Sequence, residues 1–185
     1  VATVLRCPVP GGQPKAWDAR KALAVPGVKA VVQVPTGLAV VADATWAALQ
    51  GREALAATTT WTEGPAAGFS SAGLEAQSRA ALTGSADEAR QEGDAEAVLR
   101  GARKVLEAEY RFPYQAHATV EPPNAVVDGA EMWTGTQAPN RAQDKAAAAL
   151  GLKPDQLTLH VPLIGGGFGR RLGADFSTEA AQVAN

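Results

Sequence analysis

Four glycines in five positions, Gly165-Gly166-Gly167-Phe168-Gly169, constrain this chain more than any other stretch. Glycine has no Cβ, so such a run can bend where other residues cannot and lets another molecule approach the main chain. An apolar segment, Leu157 to Ile164, leads into the bend as an expected strand, and Ala174 to Val183 follows with helical spacing. A glycine turn opening onto a helix would offer backbone N–H groups and a positive dipole end to an anion. Arg170 and Arg171 follow at once and would add bidentate donors for phosphate or carboxylate. The same glycines would also serve a tight turn that binds nothing. Two familiar patterns fail here. GxGxxG requires glycine where Arg170 stands, and the phosphate-loop pattern also breaks at Arg170.

The 185 residues suffice for one domain or two small ones, and 46% apolar with 19% charged residues is a globular composition. A net charge of −2 gives no electrostatic basis for binding nucleic acid or an anionic membrane. The single cysteine, Cys7, rules out an internal disulfide and a multi-cysteine metal or iron–sulfur site. No apolar run approaches the ~20 residues of a membrane span. A start at Val1 and an end inside a helical pattern suggest a piece of a longer polypeptide.

From the N-terminus the pattern predicts a strand at residues 1–6 and a helix at residues 18–24 capped by Asp18. Strands at 28–34 and 38–42 follow, the latter apolar throughout and so buried on both faces. Asp43 is placed to cap a helix from Ala44 to Gly51, and Leu55 to Trp61 reads as a fourth strand. These elements make an α/β unit with its own small core. Residues 62–92 read as a connector with one possible helix, Ser71 to Leu82, or as disordered chain. Beyond it come a helix from Asp94 to Arg103 and a half-buried strand from Lys104 to Phe112. Strands at 125–127 and 131–134 turn at Asp128-Gly129, and a helix runs from Arg141 to Leu150.

His117 and Glu121 are four apart, but Pro122-Pro123 favours extended chain, in which they lie roughly 13 Å apart, too far to share a metal. They read as hydrogen-bonded structural residues, and His160 as a core or edge histidine. Gln137, between a strand and a helix, either caps the helix or turns its amide to a ligand. Asp175 and Glu179 either pair with Arg170 or Arg171 or face water. No Ser-His-Asp set and no carboxylate pair for acid–base chemistry is visible.

Taken together, three segments resemble the large, molybdenum-cofactor subunit of the xanthine dehydrogenase/aldehyde oxidase family. They are Val25-Pro26-Gly27-Val28 with its strands, Ala116-His117-Ala118-Thr119-Val120-Glu121-Pro122, and Trp133-Thr134-Gly135-Thr136-Gln137-Ala138-Pro139 followed by Gly165 to Arg171. The Gly-Arg-Arg ending, with Asp175-Phe176 and Glu179-Ala180, is most similar to the isoquinoline 1-oxidoreductase β-subunit branch. The resemblance implies an α+β fold: a small α/β hammerhead domain over residues 1–80, a connector at 81–93, and the first part of a molybdopterin-binding α+β domain over 94–185. It implies a cofactor site made of Gln137, Gly166, Gly167, Phe168, Gly169 and Arg170. Gln137 matches the glutamine that hydrogen-bonds an oxygen ligand of molybdenum. Phe168 and the glycines match the loop packed on the pterin.

The implied parent is a molybdenum hydroxylase that oxidises aldehydes or N-heteroaromatics with water-derived oxygen. It would use a molybdopterin-type cofactor, expected in a dinucleotide form, and iron–sulfur clusters on a small partner subunit. No catalytic residue and no protein-built metal site falls within this stretch, since the family's glutamate base lies far towards the C-terminus. The chain alone is expected to be inactive without the remainder of the large subunit. Purine-oxidising members carry glutamate three positions after the loop's last glycine; Leu172 stands there and argues against a purine. Two rival readings remain open, a non-catalytic binding or scaffold domain of the same fold and a carrier of another phosphate-bearing ligand. Export is open too, periplasm and cytoplasm being equally compatible with a bacterial-type enzyme.

Overall fold

A computed structural model describes residues 1–185. Its contacts divide the chain into two units, Val1–Ala67 with Ala116–Asn185, and Gly68–Gln115.

In the first unit β1 (Ala2–Arg6) is followed by β2 (Gln13–Ala16), a four-residue helix α1 (Arg20–Leu23), β3 (Val28–Val34), β4 (Gly37–Ala42) and α2 (Thr45–Ala56). β4 lies between β1 and β3, antiparallel to both, with Ala2 opposite Val41 and Val34 opposite Gly37. Its continuous apolar sequence matches this central place, and Leu38, Ala39 and Val40 are wholly buried. Ala22, Leu38, Val40 and Leu55 form the core between sheet and helices. Each large side chain there is worth ~1.5–3 kcal/mol over its exposed state.

Several expectations for this half are corrected. α2 does not stop at Gly51 but runs to Ala56, taking Leu55 into the core. Gly51 is what allows this: a Cβ there would come within 2.8 Å of Val28 Cγ2 and 2.9 Å of Val40 Cγ1, so the helix rides directly on the sheet. The fourth strand shrinks to β5 (Thr60–Thr62), paired with β2. β2 itself was not legible, because Pro14 lacks an N–H and suits only an edge. Asp43 does not cap α2; Ala44 occupies the N-cap and Asp43 pairs with Lys29 at 2.8 Å. Asp18 stands one place before the N-cap Ala19. It accepts from the Arg20 N–H at 3.0 Å and from the Arg20 guanidinium, which lowers its carboxyl to about 2.

The second unit holds α3 (Ser71–Leu82) and α4 (Ala95–Gly101), whose N-caps Ser70 and Asp94 accept from Gly73 N–H at 3.1 Å and Ala97 N–H at 2.9 Å. The strand expected from Lys104 to Phe112 does not form. No strand lies beside it to supply a ladder, and Leu106, Tyr110 and Phe112 are 82%, 79% and 88% exposed. Alternation marks which face a strand would bury, not whether a neighbour exists.

The rest of the first unit is a hairpin of β6 (Ala125–Asp128) and β7 (Glu131–Thr134), then α5 (Pro139–Ala149), β8 (Thr158–His160) and α6 (Asp175–Ala184). β8 joins β7 in parallel, Met132 opposite Leu159. Only three residues of the apolar run 157–164 pair; Val161 and Leu163 are exposed. Met132, Ala146, Ala147, Leu157 and Ala181 form a second core under α5 and α6. Helices and short sheets of this arrangement make the chain α+β. On α6, Glu179 is buried and its carboxylate takes hydrogen bonds from the Arg6 guanidinium and the Thr36 hydroxyl, so it makes no ion pair with Arg170 or Arg171 and does not face solvent.

Candidate functional site

The loop after β8 is anchored from below by one arginine. Arg171 is fully buried. Its Nε donates to Gly166 O at 2.9 Å, Nη1 to Gly135 O at 3.1 Å, and Nη2 to Glu121 O at 2.9 Å and Glu121 Oε2 at 2.8 Å. Glu121 also accepts from the Gly165 N–H at 2.9 Å and from Asn124 Nδ2 at 3.1 Å. These donors hold the Glu121 carboxyl below its ordinary value, the Gly165 N–H foremost. The carbonyl of Arg171 receives the Gln137 N–H at 3.0 Å and the Thr136 hydroxyl at 3.1 Å. Anchorage of the loop is therefore polar, and the segments around Glu121, Thr136 and Arg171 share one network.

On the outer side, the sequence-predicted residues come together. Gln137 Oε1 accepts from the Gly169 N–H at 3.0 Å. A Cβ on buried Gly167 would collide with the Gln137 carboxamide, reaching its Cδ at 2.5 Å, so glycine is what lets that amide lie flat on the loop. Gly166 and Gly169 have φ of +95° and +90°, and Phe168, 72% exposed, is held at φ +48°. The N–H groups of Gly166, Gly167 and Phe168 and the Nε2 of Gln137 make no hydrogen bond within the chain. A loop that keeps donors unspent can receive acceptor atoms.

The arginines behave otherwise than their sequence suggested. Arg171 is a buried strut. Arg170 chelates Asp175 through Nη1 and Nη2 at 2.8 and 2.7 Å and lies 5.8 Å from the Phe176 ring. This ion pair pulls the Asp175 carboxyl down. Nor does the loop open straight onto the long helix: a 3₁₀ turn, Arg170–Leu172, and Gly173 intervene before α6 begins. The donors on offer are backbone and amide groups. Leu172, at the end of that turn, is half-exposed.

His117 and Glu121, which the sequence left as structural residues, both belong to this neighbourhood. Glu121 is tied beneath the loop, whereas the His117 ring lies beside Gly169, where a Cβ would stand 3.8 Å from its Nε2. Their spacing in an extended segment was visible in the sequence; that the segment borders the glycine loop was not. His160 stays apart at the sheet edge, stacked on Trp133 at 4.8 Å and bonded to Glu131 at 3.1 Å. No three His, Cys, Asp or Glu side chains converge where they could hold a metal.

The glycine loop and the Gln137 amide thus meet on one side of this α+β chain, and comparison with known proteins gives its class. The model of the molybdopterin cofactor-binding domain matches residues 79–184, and the chain belongs to that family. It is 34% identical, over 95% of its length, to the isoquinoline 1-oxidoreductase subunit beta of Brevundimonas diminuta, of which it spans 24%. Its fold is similar to that of quinoline 2-oxidoreductase from Pseudomonas putida 86, with a TM-score of 0.65 and 18% identity over 98% of this chain and 30% of that one. A Cu,Mo-containing CO dehydrogenase gives the same TM-score, with 20% identity over 99% and 30% of the two chains. The chain thus covers about a quarter of the curated relative's length. No helix is long and apolar enough to cross a membrane.

Proposed function

We propose that this chain forms one wall of the cofactor seat in a molybdenum hydroxylase acting on an N-heteroaromatic or aldehyde. The observation that carries the reading is the meeting of Gln137 and Gly169 at 3.0 Å, beside three N–H groups without partners in the chain. Gln137, Gly166, Gly167, Phe168 and Gly169 would face the molybdopterin-type cofactor. Arg170 would take part from behind, its guanidinium already committed to Asp175. The residues fit such a group: neutral donors suit its sulfur and oxygen acceptors, and no protein ligand set competes for its metal.

When bound, the cofactor would supply the two-electron redox chemistry by which an electron-poor carbon gains an oxygen from water. The chain's own share is to orient it. Backbone N–H groups on a strutted loop lose little freedom on binding, and the Gln137 amide, fixed by Gly169, keeps two N–H donors for the ligand. Half-exposed Leu172, where purine-oxidising relatives carry glutamate, favours a less polar N-heteroaromatic or an aldehyde over a purine.

The resemblance extends the proposal to a dinucleotide form of the pterin, to iron–sulfur clusters on a small partner subunit, and to an aldehyde oxidase-like parent. It also proposes residues 1–80 as a hammerhead domain, 81–93 as a connector and 94–185 as the start of the cofactor-binding region. Metal analysis of the full polypeptide purified with its partners tests the reading, together with assays on quinoline, isoquinoline and benzaldehyde. Stoichiometric molybdenum with turnover of one of them is expected, and no turnover by the 185-residue chain alone. A polypeptide devoid of molybdenum would instead be a scaffold of the same fold.

A further inference from the structure

The chain has two non-glycine residues with positive φ, Phe168 and Ala118, both at +48°. Such a conformation costs of order 1–3 kcal/mol and persists where surrounding structure has a use for it. Phe168 precedes Gly169, and Ala118 follows His117, whose ring lies against that same Gly169. The two strained positions thus flank one glycine from separate segments. Gln137 has taken the Gly169 N–H and keeps its own NH₂ unspent. His117 is exposed and finds no hydrogen-bond partner in the chain, in contrast to His160, which bonds Glu131 and stacks on Trp133.

We infer that His117 is a ligand-facing residue of the glycine-loop site, its imidazole donating a hydrogen bond to an oxygen or other acceptor atom of the group seated there, opposite Gln137. Resting on the cofactor reading above, the inference adds a second side-chain donor to a surface otherwise lined by backbone N–H groups and one amide. A purely structural histidine would be spent on a neighbour; this one is held in the open by a strained peptide at the edge of the loop.

The test uses the full polypeptide in two forms, loaded and grown without molybdate, treated with diethyl pyrocarbonate and mapped by peptide mass spectrometry. Loading is expected to lower carbethoxylation of His117 several-fold while His160 labels equally in both forms. His117→Ala should retain cofactor through dialysis roughly tenfold less well than wild type, the worth of one hydrogen bond to a charged group. Its unfolding midpoint should not move, because the ring bonds nothing in the chain. Equal labelling of His117 in the two forms, with molybdenum stoichiometric in the loaded one, overturns this inference and leaves the cofactor reading standing. So does a His117→Ala protein that holds molybdenum as tightly as wild type. A wild-type protein that carries no molybdenum overturns the cofactor reading, and the inference with it.

Discussion

Arg171 Nη2 donates to Glu121 Oε2 at 2.8 Å, joining residues fifty positions apart beneath the glycine loop. The same guanidinium holds the carbonyls of Gly166, Gly135 and Glu121. The loop's shape is thus set by charge-assisted bonds from inside the protein, leaving the N–H groups of Gly166, Gly167 and Phe168 unspent.

Arg171→Met should therefore destabilise the fold and loosen the glycine loop it holds. It strands three carbonyls and the Glu121 carboxylate. Removing one member of a buried pair costs about 3–5 kcal/mol, and Glu121 retains access to water, so the lower end is expected. Urea unfolding of the polypeptide measures it; a loss under about 1 kcal/mol would show that the strut is dispensable.

Gly167→Ala should act on Gln137. The new methyl occupies the place of the carboxamide, which can swing away, so stability should change by only about 1 kcal/mol. Cofactor retention should fall as it does in Gln137→Ala. In a double-mutant cycle the two losses should not add, because both remove the same bond to Gly169. Additive losses in molybdenum content would mean that Gly167 matters by another route.

Arg6→Ala should cost more than Glu179→Gln. Glu179 is buried and its charge is met by Arg6 and Thr36; losing Arg6 leaves that carboxylate without its cation, at about 3 kcal/mol. The amide of Glu179→Gln can still bond Thr36 and should cost about half as much. Thermal unfolding of the two variants ranks them.

Acid should weaken the fold around the site. Glu121 and Asp175 titrate below their ordinary values of 4.5 and 3.8, through the Gly165 N–H and the Arg170 guanidinium respectively. Each therefore stabilises the fold above the value it has in the unfolded chain. That contribution fades as pH falls through the lower value it has when folded. Stability should decline below about pH 4.5, and Asp175→Asn should flatten the decline below about pH 3.8. Denaturant midpoints between pH 3 and 7 check this, and a variant with an unchanged acid limb would count against the Arg170–Asp175 pair.

How far the residues alone led differs from place to place. Val28 to Val34 and Leu38 to Ala42 could be read as strands because their apolar runs are short and bounded by turns, and β4 took the central position that its composition requires. The hairpin at Asp128-Gly129 and the helix before Gly151 were equally plain. Extending α2 over Leu55 was not, since it depends on how closely Gly51 lets helix meet sheet. The alternation of Lys104 to Phe112 was real, yet a ladder needs a second strand and none is adjacent.

For the site, the sequence by itself determined the glycine bend, the amide of Gln137 and the family they point to, because local conformation and motif order are properties of neighbouring residues. The tertiary structure alone decided which charges are spent. It buried Arg171 against Glu121, gave Arg170 to Asp175 and Glu179 to Arg6, and left His117 beside Gly169 with no partner. Charges and hydrogen-bond donors choose partners by distance in space, and separations of 50 and 173 positions along the chain carry no signal in the order of its residues.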